Sequence, residues 1–107
     1  MAWLLLVVAG LIEVVWALAL KESEGFSRLV PSLIFLPLYL LSAVLLGFAL
    51  RSLPVGTGYA VWVGIGAVGA ALVGIVWLGE SADIQRLVPL GLIGIGVVWL
   101  ALGEGAG

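Results

Sequence analysis

Residues 29–50 read LVPSLIFLPLYLLSAVLLGFAL, twenty-two residues without a charge. A helix needs about 20 apolar residues to cross the hydrocarbon core of a bilayer. The stretch has no strand-like alternation, and backbone polar groups in lipid must be satisfied within their own segment. It therefore reads as a membrane-spanning helix. Residues 1–20 form a similar run with one charge, Glu13, and residues 55–79 and 87–103 carry none. Short polar breaks separate the runs: KESEGFSR at 21–28, RSLP at 51–54 and ESADIQR at 80–86. The expectation is an all-α membrane protein. Its four transmembrane helices fall at about 1–20, 29–50, 54–79 and 87–103, in one domain covering 1–107.

Composition points the same way. The chain has 107 residues, 64% hydrophobic and 9% charged, against about 25% charged in a soluble domain. Without Cys there is no disulfide and no thiol chemistry, and without His the usual general base and metal ligand is missing. No metal site, no cofactor and no enzyme activity is expected. The net charge of −2 is scattered and gives no basic tail for nucleic acid. The first run does not read as a cleavable signal, because it lacks a basic start and holds Glu13 inside its apolar stretch.

Trp3 and Trp99 fall on one side of the expected membrane and Trp77 on the other, as an aromatic belt requires. Lys21, Arg28 and Arg86 lie on the side of the first and third breaks, and Arg51 lies opposite. This weak bias is compatible with insertion in both orientations. Pro31, Pro54 and Pro89 are expected at helix starts, and Pro37 inside a helix that it should bend. Glycines crowd the third and fourth runs. They read as close-packing positions, with Gly64 and Gly66 also a flexible point, and with Gly91, Gly94 and Gly96 a surface for contact between subunits.

Glu13 is the only acidic or basic residue inside an apolar run. Seven residues separate it from Leu20, so it lies about 10 Å from the helix end. A charge at that depth costs roughly 2.5–3.5 kcal/mol, which makes such a residue a candidate functional site. The bland alternative is a structural carboxyl bonded between helices. In the functional reading, proton and cation compete for this one group, the physical minimum for coupled exchange.

Trp16 is three residues on and shares the face of Glu13, so its indole N–H is expected to donate to the carboxylate. Tyr59 with Trp62, and Tyr39 with Ser42, repeat the same spacing on other helices. Together these side chains would give a cavity with donors for an anion and ring faces for a cation. One small bundle has little room for both a core and such a cavity. Two copies facing each other would supply it, with two coupled carboxyls.

The segments GLIEVVW at 10–16, LPVGTGYAVW at 53–62 and GIG at 64–66, with Lys21, SEGF at 23–26 and Pro31-Ser32, resemble the small multidrug resistance family of proton-coupled exporters. The resemblance covers nearly the whole chain. It implies an antiparallel, dual-topology homodimer in the bacterial inner membrane that works by alternating access, with both copies of Glu13 lining one cavity. Gly10, Trp16, Ala17 and Ala67 resemble the guanidinium exporter subtype. The implied partners are protons, a guanidinium-type cation and the lipid bilayer. By the same resemblance Glu13 binds substrate or proton, while Trp16, Ser42 and Trp62 hydrogen-bond and orient it. Tyr59 would rearrange in the access switch.

Three residues depart from that subtype. Tyr39 resembles the quaternary-ammonium and polyaromatic subtype, Val63 replaces a small hydroxyl residue, and Ala101 stands where Lys is frequent. The primary expectation is export of guanidinium and small substituted guanidinium compounds. The alternatives are a broader multidrug exporter, a non-transporting partner subunit, or a proton-carrying rotor subunit.

Overall fold

The computed structural model describes residues 1–103. After Met1 the chain forms α1, Ala2–Glu22, followed by α2, Leu29–Ala49, α3, Val55–Trp77, and α4, Ile84–Gly103. At 1.5 Å per residue a helix of 21 residues is about 31 Å long, enough for the hydrocarbon core. All four helices are apolar enough to cross a membrane.

The boundaries differ from the apolar runs for local reasons. Charge ends an apolar run without ending a helix, so α1 continues through Lys21 and Glu22, where Lys21 complements the C-terminal dipole. α4 starts at Ile84 rather than 87, because the Asp83 carbonyl accepts the backbone N–H groups of Arg86 and Leu87 at 2.9 and 2.8 Å. Pro89 consequently lies within α4, past its first turn, and not at its start. α3 stops at Trp77 rather than 79. Leu78 and Glu80 both donate to the Gly74 carbonyl at 3.0 Å, and Gly79 turns the chain with φ +69°. Pro37 lies inside α2 as expected.

α1 packs on both α2 and α3, α2 touches α3 only slightly, and α4 touches α3 alone. The helices therefore lie side by side in the order α2, α1, α3, α4. The extents of 41 × 34 × 17 Å describe a flattened molecule, though one thicker than a single helix with its side chains, which is about 10–12 Å across. Its small core comprises Leu6, Ala9, Leu46, Ala49, Val61 and Trp62, contributed by α1, α2 and α3. α4 has no buried residue.

Glycine sets the close approaches. A Cβ on Gly10 would stand 2.7 Å from Ile65 Cγ2, one on Gly69 would overlap Val14, and one on Gly64 would overlap Val97 of α4. The Gly64–Gly66 stretch is continuous α-helix and serves as a packing surface on both sides of α3. In α4, Gly91, Gly94 and Gly96 face nothing within 4 Å.

Candidate functional site

Glu13 is half-buried on the side of α1 that meets α3, and its carboxyl lies where a side chain on Gly66 would be. Its Oε1 is buried and has no hydrogen-bond partner among the described residues. A shielded carboxyl is balanced only by taking a proton or by holding a cation. Gly10, one turn earlier, is buried against Ile65 and keeps α1 and α3 close beside Glu13.

Trp16 is half-buried, and its Nε1 is likewise buried without a partner. The hydrogen bond expected from the i,i+3 spacing is not formed: the Glu13 carboxyl lies against Gly66 of α3, whereas the Trp16 ring turns to α2. The Trp16 ring instead meets Phe35 edge-on at 5.6 Å and Tyr39 edge-on at 5.2 Å. Phe35 and Tyr39 stack on each other at 5.5 Å.

Ser42 is fully buried and ties three helices together. Its Oγ donates to the Ala9 carbonyl of α1 at 2.7 Å and accepts the Trp62 Nε1–H of α3 at 3.0 Å. Two of the three residues expected to orient Glu13, Ser42 and Trp62, are thus engaged with each other in the single chain. Tyr59, 55% exposed, packs 5.8 Å from Trp62 at a tilt. Tyr39 is 38% exposed. The structure accordingly divides the expected cavity residues into two groups. Trp16 and Tyr39 stand together with Phe35, and Ser42, Trp62 and Tyr59 form a separate group level with Ala9, about two turns from Trp16 along α1.

The family described as Small Multidrug Resistance protein matches residues 1–93 of the chain. The chain belongs to this family. It is 59% identical over 102 residues to the guanidinium exporter of Yersinia pseudotuberculosis serotype I (strain IP32953), covering 95% of this chain and 98% of that protein. It is 59% identical to the guanidinium exporter of Escherichia coli (strain K12), covering 95% and 97%. The guanidinium exporter of Salmonella typhimurium (strain LT2) is 56% identical over the same shares. Family and helices together make this a multi-pass membrane protein of a transporter family.

In this small multidrug resistance protein Phe35 had no part of its own in the sequence reading, and Phe26 entered it only within SEGF at 23–26. Phe35 lies four residues before Tyr39, the spacing that places two rings on one helix face, and Phe26 packs edge-on against Phe35 at 5.6 Å. Trp77 and Trp99 are exposed near the ends of α3 and α4, whereas Trp3 is half-buried against the core. Two open grooves, of about 690 and 700 Å³, flank α4. One is lined by Ala60, Ile93, Gly96 and Val97, the other by Gly91, Gly94, Ile95 and Val98.

Proposed function

We propose that this chain exports guanidinium ion and small substituted guanidinium compounds in exchange for protons, by alternating access across the bacterial inner membrane. One observation carries the reading: the Glu13 Oε1 is buried, lies at mid-depth in α1 and has no hydrogen-bond partner, one turn from an equally unengaged indole N–H. Guanidinium is planar, positively charged and presents its donors in a fork that matches a carboxylate. It can therefore neutralise Glu13, and a proton can replace it there. Similarity to proteins named guanidinium exporter over 95% of the chain supports the choice of cation.

The working unit in this reading is an antiparallel homodimer with both copies of Glu13 in one cavity. The single chain leaves Glu13 only half-buried, and an inverted copy would supply a further wall around it. Gly91, Gly94 and Gly96 of α4 are the proposed contact between subunits, because their small surfaces are free of the chain's own side chains. Trp16, Ser42 and Trp62 would turn toward Glu13 during the cycle, and Tyr59 would move with the access switch. Gly64 and Gly66 would let α3 bend as it does so.

A second reading, export of quaternary ammonium or polyaromatic cations, is favoured by one feature. Tyr39 adds a half-open aromatic face, stacked on Phe35, next to Trp16. Solid-supported-membrane electrophysiology on the purified protein separates the two. Proton-coupled currents with guanidinium and alkylguanidinium are expected. Currents with a quaternary ammonium and none with guanidinium would reverse the assignment.

A further inference from the structure

Four aromatic rings form a continuous series from the first loop to the neighbourhood of Glu13. Phe26 in the loop meets Phe35 at 5.6 Å, Phe35 stacks on Tyr39 at 5.5 Å, and both Phe35 and Tyr39 meet Trp16 edge-on. Phe35 is the hub, with three ring contacts, whereas Trp16 and Tyr39 have two each.

The loop end of this series is held in an unfavourable backbone conformation. Glu24, Gly25 and Phe26 have φ of +48°, +73° and +67° in succession. Only glycine adopts that region freely, so Glu24 and Phe26 stay there because other contacts hold them. The holding residue is Ser23, which is fully buried. Its Oγ donates to the Leu20 carbonyl at 2.6 Å and accepts the Phe26 N–H at 3.2 Å, and its carbonyl accepts the Arg28 N–H at 3.0 Å. The loop thus presses the Phe26 ring onto Phe35.

At the other end is an indole whose buried N–H makes no hydrogen bond. Nothing polar fixes the direction of the Trp16 ring. Its orientation is set by rings alone, since edge-to-face contacts are directional as well as apolar. We propose that Phe35 is a positioning residue for Trp16: backed by Phe26 and stacked on Tyr39, it holds the indole against α2, one turn from Glu13, in the orientation used for substrate recognition. This rests on the transport function proposed above. Phe35 acts through Trp16 and needs no contact with the cation.

The test uses full-length protein labelled with 5-fluorotryptophan, the Trp16 resonance being assigned by its loss in Trp16→Phe. Phe35→Leu keeps an apolar side chain and removes the ring; Phe35→Tyr keeps the ring. In Phe35→Leu the fluorine resonance of Trp16 is expected to move and broaden, while those of Trp3, Trp77 and Trp99 stay in place. KM for guanidinium should rise about three- to tenfold, the range one aromatic pair supports, with the maximal current nearly kept. Phe35→Tyr should restore both. Phe26→Leu provides a second variant, because Phe26 lies on an exposed loop. It should shift the Trp16 resonance in the same direction by less, an effect transmitted through Phe35. An unmoved Trp16 resonance in both leucine variants, or a transport defect that Phe35→Tyr fails to rescue, overturns the proposal. The fluorine measurement needs no substrate, so a protein that carries no guanidinium would defeat the transport reading while leaving this test intact.

Discussion

The Glu13 carboxyl fills the space that a side chain on Gly66 would occupy. This ties the one acid inside a helix to a glycine on its neighbour, across the contact of α1 with α3. Gly66→Ala should therefore act on Glu13 before it acts on the fold. Alanine favours a helix over glycine by about 1 kcal/mol, and the Glu13 side chain can swing away from the new methyl group. Thermal stability in detergent should hold or rise. KM for guanidinium should rise by about tenfold or more, the size of one lost charged contact. A variant with a lower thermal midpoint and an unchanged KM would show that Gly66 serves packing only.

Glu13→Gln removes the charge and keeps the shape. A neutral amide can neither release a proton nor balance a cation, so pH-driven guanidinium currents should vanish. The buried Oε1 has no hydrogen bond to lose, so helix content and thermal midpoint should match the parent or exceed it. Robust proton-coupled uptake by this variant in liposomes would place the coupling elsewhere.

The four spans and the singular position of Glu13 were legible because both are written in where charge is absent. The hydrogen-bond partners were not. Spacing of i,i+3 joined Tyr39 to Ser42, but residues three apart on a helix still point some 60° apart. That angle, with the rise of about 4.5 Å between them, sets Tyr39 against Trp16 and Phe35, and Ser42 against Ala9 and Trp62. Which neighbour receives each side chain depends on α1 lying between α2 and α3, and no local pattern encodes that order. The early start of α4 was hidden because Arg86 looked like loop, although it continues a helix begun under the Asp83 carbonyl.

Ser42 is where three helices meet, and its removal should cost stability more than chemistry. Ser42→Ala leaves the buried Trp62 N–H and the Ala9 carbonyl without the hydroxyl they share. Leaving a buried donor unsatisfied costs about 1–3 kcal/mol, and hydrogen bonds between membrane helices measure nearer 0.6–1.7 kcal/mol. Unfolding in mixed detergent should report a loss of about 1–2 kcal/mol. A loss well below that range would mean that Trp62 finds another acceptor.

Gly94 tests the proposed contact between subunits apart from the fold of each. A side chain at this position meets nothing of its own chain within 4 Å, so Gly94→Leu should leave helix content unchanged. If α4 packs against a second copy through its small residues, the added leucine blocks that approach. Light scattering in detergent should then show the dimer giving way to monomer at a protein concentration at least about tenfold higher than for the parent, as expected for roughly 1.4 kcal/mol of lost association. An unchanged dimer would move the contact off this face of α4.

Arg86 and Glu80 bond across the third loop, where α3 ends and α4 begins. The Glu80 carboxyl is held below its ordinary range, chiefly by the hydrogen bond from Arg86; desolvation opposes this, and the charges of Arg86 and Lys21 add to it. An unfolded chain would take up a proton at Glu80 at the ordinary carboxylate value, near pH 4.3, before the folded chain does. The stabilisation is therefore complete above that pH and is lost as the pH falls through the folded value. Thermal midpoints in detergent should drop as buffers go from about pH 5 to 3. Glu80→Gln should flatten that slope while leaving stability near neutral pH only slightly lower, since partly exposed ion pairs are worth little there. An acid slope identical in the parent and the variant would assign the pH response to other carboxyls and leave the Arg86 pair without a measurable share.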